Sequence, residues 1–148
     1  MTDIGYNAFY GCRNLTNLTI PDSVKFIGES AFEDCSGLES VDLGDGVEYI
    51  DEYAFFDCTN LKRVRVGRNV RHIDNEAFCG CDKLEEVQID DLAAWCRIFF
   101  YEPEPDEEAP GHDYALSNPL RLAHRLYLNG ELVEDLTIPD GVTSIGQY

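Results

Sequence analysis

The sequence predicts a repeat solenoid, a coil of short turns stacked along one axis. Three observations predict it: several residue types keep a step of 23 positions, apolar and polar residues alternate in short runs within each step, and charges one step apart are mostly opposite in sign.

The step comes first, because self-similarity constrains a fold more than local propensity does. Cysteine stands at 12, 35, 58 and 81. Phe9, Phe32, Phe55 and Phe78 keep the same interval, as do Ala8, Ala31, Ala54 and Ala77. So do Ile4, Ile27, Ile50 and Ile73, and Leu15, Leu38, Leu61 and Leu84. Chance does not hold five residue types in phase over four copies. A unit of 23 residues is too short to bury its own apolar side, so neighbours must stack in register.

The alternation comes second. In the triplets LTI, VDL and VRV the outer residues face in and the middle one faces out, the period of a strand. A turn follows (IPDS, LGDG, VGRN), then a second extended piece ending in the inward isoleucine. The AFxxC segment predicts a single tight helical turn with Ala, Phe and Cys pointing in. The expected product is a right-handed coil of short parallel strands and short helical turns, one domain over residues 1–148. It divides into about six turns: 1–17 (partial), 18–40, 41–63, 64–86, an enlarged 87–135, and 136–148 (partial).

The charges come third. Stacking at this step sets Asp42 against Arg65, Asp45 against Arg68 and Arg63 against Glu86. Lys25, Glu48 and Arg71 alternate in a further column, and Glu39, Lys62 and Glu85 in another. Opposite charges across neighbouring strands contribute about 0.2–1 kcal/mol each and penalise slipped registers. The same columns argue against reading Lys62, Arg63, Arg65, Arg68, Arg71 and His72 as an anion site, since most have an acidic neighbour one turn away.

The beat breaks after Ile89 and resumes at LTIPDGVTSIG, with Leu136 expected over Val87. In the insertion, about residues 90–135, Asp90 or Asp91 caps a predicted helix whose apolar stripe is Leu92, Trp95, Cys96 and Phe99. The acidic, proline-rich YEPEPDEEAPGHD predicts a solvated loop. SNPLRLAH predicts a short helix, and Asn129-Gly130 a tight hairpin.

The thiol column invites metal, disulfide or nucleophile chemistry. Parallel side chains at strand spacing, about 4.8 Å, neither converge on a zinc ion nor reach ordinary disulfide geometry. Buried thiols filling the wall are the expected reading for Cys12, Cys35, Cys58 and Cys81, with a strained Cys12–Cys35 pair as the alternative in an oxidising setting. Cys79 is expected to face outward. Cys96 with His112 or His124 has no fixed mutual geometry. Like-charge columns (Glu29 with Glu52, Asp34 with Asp57, Asp51 with Asp74) raise a calcium site, but solvated surface carboxylates are the commoner arrangement. No cofactor is expected.

Composition narrows the partners. Eleven basic against 29 acidic residues leave a net charge of −18, which repels phosphate backbones and makes nucleic acid a poor partner. No run approaches the roughly 18 apolar residues of a membrane helix, so membrane insertion is not expected. Met1 leads into TDIGYNAF with no basic start and no apolar run, so no export signal is read there.

The units LTIPDSVKFIGESAFEDCSGL, VEYIDEYAFFDCTNL, VRHIDNEAFCGCDKL and LTIPDGVTSIG resemble leucine-rich repeats of the BspA type, also called the Treponema pallidum type. The stretch DLAAWCRIFF…NPL…HRLYLNGELV is similar to an insertion found in such proteins of gut anaerobes. The resemblance implies large surface or secreted proteins, some with proposed adhesion to host matrix or other microbes, and binding rather than catalysis. It carries over no functional residue, because the shared motif is scaffold. The chain departs from the pattern in having no export signal, and in Gly44 and Gly67 where Pro21 and Pro139 stand in other copies.

The expectation is therefore a non-catalytic module of an adhesin-like protein, recognising a protein or glycan ligand, at the cell surface or secreted as part of a longer protein. The alternative is a structural spacer presenting another domain. Expected contact residues are the outward strand positions Thr19, Asp42, Arg65 and Gln88, and the column Phe26, Tyr49 and His72. Uncapped ends make end-to-end self-association a further expectation.

Overall fold

A computed structural model describes residues 2–101 and 117–143. Each coil contributes two short strands. In chain order they are β1 (Asp3–Ile4), β2 (Asn17–Thr19), β3 (Phe26–Ile27), β4 (Ser40–Asp42), β5 (Tyr49–Ile50), β6 (Arg63–Val66), β7 (His72–Ile73) and β8 (Glu86–Ile89). After them come helix α1 (Leu92–Trp95), β9 (Phe99–Phe100), helix α2 (Pro119–Ala123), β10 (Leu126–Leu128) and β11 (Glu131–Leu132).

Odd strands β1 to β9 form one parallel sheet, the ladder sheet. The even strands β2 to β10, with β11 at the edge, form the second. Pairing follows the predicted step: Asp3 lies beside Phe26, Tyr49 beside His72, and Asp42 beside Arg65. Over the described residues the result is a β-solenoid of about four turns. Residues 136–143 add no strand to either sheet.

The core is the set of predicted columns from the second coil onward; Ala8 and Cys12, expected inside, are exposed because the first coil is covered on one side alone among the described residues. Ile27, Ile50 and Ile73, Ala31, Ala54 and Ala77, and Cys35, Cys58 and Cys81 are all fully buried. Phe9, Phe32, Phe55 and Phe78 stack face to face, with centroids 5.1, 5.3 and 5.3 Å apart. That spacing is close to the strand separation of about 4.8 Å, so one ring fits per coil. Phe9 is 43% exposed where Phe32 is 0% exposed, because Phe9 has a coil on one side alone among the described residues.

The AFxxC wall is tight but is not a continuous helix. Three-residue turns (Cys58 N–H to Phe55 carbonyl, 3.3 Å) alternate with bonds to the next coil, such as Phe32 N–H to Ala54 carbonyl (2.8 Å) and Asp34 N–H to Phe56 carbonyl (2.9 Å). The reason lies in the backbone. Asn7, Ser30, Tyr53 and Glu76 all have φ between 51° and 56°, as do Asp34 (55°) and Asp57 (54°). Each left-handed residue breaks the helical run and turns N–H groups toward the neighbouring coil. Coil-to-coil contact also explains a glycine: a Cβ on Gly67 would stand 1.7 Å from the Gly44 carbonyl oxygen.

The insertion differs from expectation at two points. Asp91 caps α1 as predicted, accepting from Ala94 N–H at 2.9 Å. The helix nevertheless stops after four residues, and Phe99 belongs to β9, not to its stripe. The edge of β7 offers open backbone groups. Phe99 and Tyr101 N–H donate to the carbonyls of Arg71 and Ile73, both at 2.9 Å, which outweighs another helical turn.

The second difference is that Leu126, not Leu136, lies over Val87. Strand β10 carries the same apolar–polar–apolar pattern as a repeat strand, so it takes the place beside β8. Leu136 is left 53% exposed. The Asn118-Pro119 helix forms, with Asn118 Oδ1 accepting from Leu120 N–H at 3.0 Å. So does the hairpin, with Asn129 and Gly130 both at positive φ. The acidic proline-rich prediction falls almost wholly on 102–116, outside the described residues, as does His112.

Candidate interaction surfaces

The seven expected contact residues lie on two separate sheets. Phe26, Tyr49 and His72 face outward from the ladder sheet, and Thr19, Asp42, Arg65 and Gln88 from the other. They do not form one patch.

On the ladder sheet, stacking at the coil spacing brings the rings into a continuous column. Centroids are 5.3 Å apart for Phe26–Tyr49 and 4.5 Å for Tyr49–His72. Phe99 extends the column, 4.8 Å from His72, and is 43% exposed. Sequence reasoning missed Phe99 because its spacing from Leu92 and Trp95 matched a helix. The run IFFY is apolar throughout and gave no alternation to mark a strand, so the signal lies in the burial pattern alone. The column is anchored: the Tyr49 hydroxyl donates to Asp74 Oδ2 at 2.7 Å, and that oxygen lies 3.6 Å from His72 Nε2. Burial, then the hydrogen bond to Asp74, pushes the Tyr49 phenol up from its ordinary pKa. Burial and the carboxylates of Asp74 and Glu29 likewise raise Glu52.

On the other sheet the outward column runs Thr19, Asp42, Arg65, Gln88 and then Tyr127. Its centre is already engaged. Arg65 Nη1 meets Asp42 at 3.0 Å, Nη2 meets Asp45 at 2.9 Å, and Nε meets Asp90 at 3.1 Å. Burial opposes the charge on Arg65, but bonds to Asp90, Asp42 and Asp45 outweigh it and raise its pKa. Asp45 moves down: burial alone would raise it, and Arg65 and Arg68 reverse the sign.

Three further predicted ion pairs close: Asp45–Arg68 at 3.0 Å, Glu39–Lys62 at 3.1 Å and Lys25–Glu48 at 3.5 Å. Arg63 and Glu86 sit side by side in the register without closing one. Asp34, in a like-charge column, binds Arg13.

The thiols have a structural task. Cys35, Cys58 and Cys81 each donate to a phenylalanine carbonyl of the preceding coil: Phe9 (3.2 Å), Phe32 (3.3 Å) and Phe55 (3.3 Å). Burial raises Cys35 to about 11, so its thiol is protonated and unreactive at neutral pH. Cys79, expected outside, is half-buried, and burial raises it to about 11. Cys96 is buried as expected of a packing residue. Among the described residues no group of three or more His, Cys, Asp or Glu is placed to hold a metal ion. Nor is any described helix long and apolar enough to cross a membrane.

Comparisons with known proteins agree with this architecture. Comparison with curated protein sequences gives no match. Among solved structures, a leucine-rich repeat protein from Bacteroides ovatus is 42% identical with a TM-score of 0.56, over 59% of this chain and 23% of that one. The leucine-rich repeat protein of Treponema pallidum is 26% identical with a TM-score of 0.42, over 60% of this chain and 52% of that one. This chain thus spans about a quarter and about half of those two proteins. A family model described as a BspA type leucine rich repeat region, in six copies, matches residues 1–102. That span holds every stacked column of the core, and the chain belongs to the BspA type leucine-rich repeat family.

Proposed function

We propose that this chain is a recognition segment of an adhesin-like protein at the bacterial surface, non-catalytic, contacting a protein or glycan ligand through the ladder sheet. The family is one of protein-interaction or structural modules. The observation that supports recognition is the column Phe26–Tyr49–His72–Phe99. It is a rigid row of aromatic edges facing outward on a surface whose backbone is fixed by stacking. Pre-ordered aromatics lose little entropy on binding and serve as interface anchors. The other sheet contributes less in this reading, since Asp42 and Arg65 already satisfy each other.

The test is retention of extracellular-matrix proteins and glycans by immobilised protein. Tyr49→Ala with Phe99→Ala should abolish retention, and Thr19→Ala should leave it unchanged. A spacer is favoured by the self-satisfied Arg65 network; it would retain nothing in either form, which would sink the proposal.

A further inference from the structure

The three arginines least expected to cooperate meet at one concavity. A cavity of about 430 Å³ lies between the β6–β7 turn and α1, lined by Arg68, Asn69, Val70, Arg71, Ala94 and Arg97. The ladder of charges predicts that Arg68 and Arg71 are satisfied, and makes no prediction for Arg97. Arg68 is, through Asp45. Arg71 is not, because Glu48 pairs instead with Lys25, and among the described residues neither Arg71 nor Arg97 closes an ion pair. Both side chains belong to exposed residues.

Guanidinium groups that line one concave site with no ion-pair partner among the described residues make that site favourable for an anion. Guanidinium groups favour planar, bidentate partners, which a carboxylate provides. The floor is different in kind: Ala94 is apolar and half-buried, while the Val70 side chain turns into the core behind it. Asn69 commits its Nδ2 to the Asp45 carbonyl at 2.6 Å, which leaves its Oδ1 as an acceptor. The site thus combines cationic rim, apolar floor and one acceptor, within the usual size of a small-ligand pocket. A sugar ring bearing a carboxylate presents the matching set on one rigid unit: an anion, a C–H face and hydroxyl donors. A glutamate side chain presents only the first. The overall negative field disfavours long polyanions, but beyond about 8 Å it is screened at physiological salt and does not exclude a single carboxylate.

We propose that this cavity binds an acidic sugar, with Arg71 and Arg97 holding the ring carboxylate and Ala94 supporting the ring. The proposal rests on the recognition reading above and names the ligand class at one site.

The test is calorimetric titration of the chain with methyl β-glucuronide, and in parallel with methyl β-glucoside, sodium sulfate and triglutamate. Saturable binding of the glucuronide is expected, with Arg71→Gln and Arg97→Gln each weakening it about tenfold, as loss of one charge-assisted bond implies. Arg63→Gln, remote from the cavity, should have no effect. Unchanged thermal melting of the variants ensures that a loss is not unfolding. No glucuronide binding, equal binding of the glucoside, sulfate or triglutamate, or binding indifferent to both substitutions would each overturn the proposal. If matrix ligands are still retained in a Tyr49-dependent way while the glucuronide fails, the cavity assignment falls and the recognition reading stands.

Discussion

The Cys58 thiol donates to the carbonyl oxygen of Phe32, 3.3 Å away and one coil back, and the same bond recurs from Cys35 to Phe9 and from Cys81 to Phe55. The cysteine column is therefore more than filler. Its sulfur is small enough for the wall and polar enough to give a buried carbonyl, already bonded to a backbone N–H of its own coil, a second donor.

This distinguishes substitutions that volume alone would not. Cys58→Ser keeps a donor and should cost about 1 kcal/mol, while Cys58→Val adds apolar bulk against a carbonyl and should cost about 2–3 kcal/mol. Urea unfolding of both variants decides it. If valine is the better tolerated, the thiol is only a filler.

Arg65 holds three carboxylates, and its removal strands them. Arg65→Met should destabilise by about 1–3 kcal/mol, below the figure for a fully buried ion because Arg65 is 25% exposed. Added salt should restore part of the loss in the variant more than it helps the parent. Lysine at 65 should not rescue fully, since an ammonium cannot reach three partners in a planar fork.

Acid should act in two opposite steps. Burial, then the neighbouring carboxylates, raises the pKa of Glu52 in the folded state, so the cost of its charge is relieved as pH falls through its folded value, and stability rises slightly below neutrality. Asp45 is lowered, so its contribution is present above the ordinary aspartate pKa and lost as pH falls through its folded value. Melting temperature should therefore rise or stay flat from neutral pH to about 5 and drop below about 4. A monotonic fall from neutrality would contradict the assignment of Glu52.

Glu76 sits at φ 51°, where a non-glycine residue is strained and asparagine is tolerated. It also adds to the repulsion on Glu52. Glu76→Asn should stabilise by about 0.5–1 kcal/mol, a rise of a few degrees in melting temperature. A lower melting point would show that Glu76 makes a compensating contact.

The placement of β10 separates two leucines that look equivalent. Leu126→Asp should destabilise by about 1–3 kcal/mol, because it faces the core beside Val87, whereas Leu136→Asp should change stability by less than about 0.5 kcal/mol. Chemical denaturation of the pair checks whether the coil continues through Leu126.

Most of the ladder face could be read without coordinates. Phe26, Tyr49 and His72 become neighbours as soon as coils are stacked at the 23-residue step, and the closed pairs of Asp42 with Arg65 and Glu39 with Lys62 follow from the same operation. Phe99 and Arg97 could not be read that way, because they follow a segment of different length whose path no period describes.

What the sequence by itself determined is the in-register stack and its buried columns. A fixed repeat forces identical side chains to the same height on successive coils, and only one register buries all of them. What the tertiary structure alone decided is where that rule stops. Phe99 joins the sheet edge, Leu126 displaces Leu136, Asp90 completes the Arg65 network, and Arg71 and Arg97 line one cavity. Each outcome is a competition between open backbone edges, apolar faces and charges brought together in space. Such competitions are settled by distance in the folded chain rather than by spacing along it.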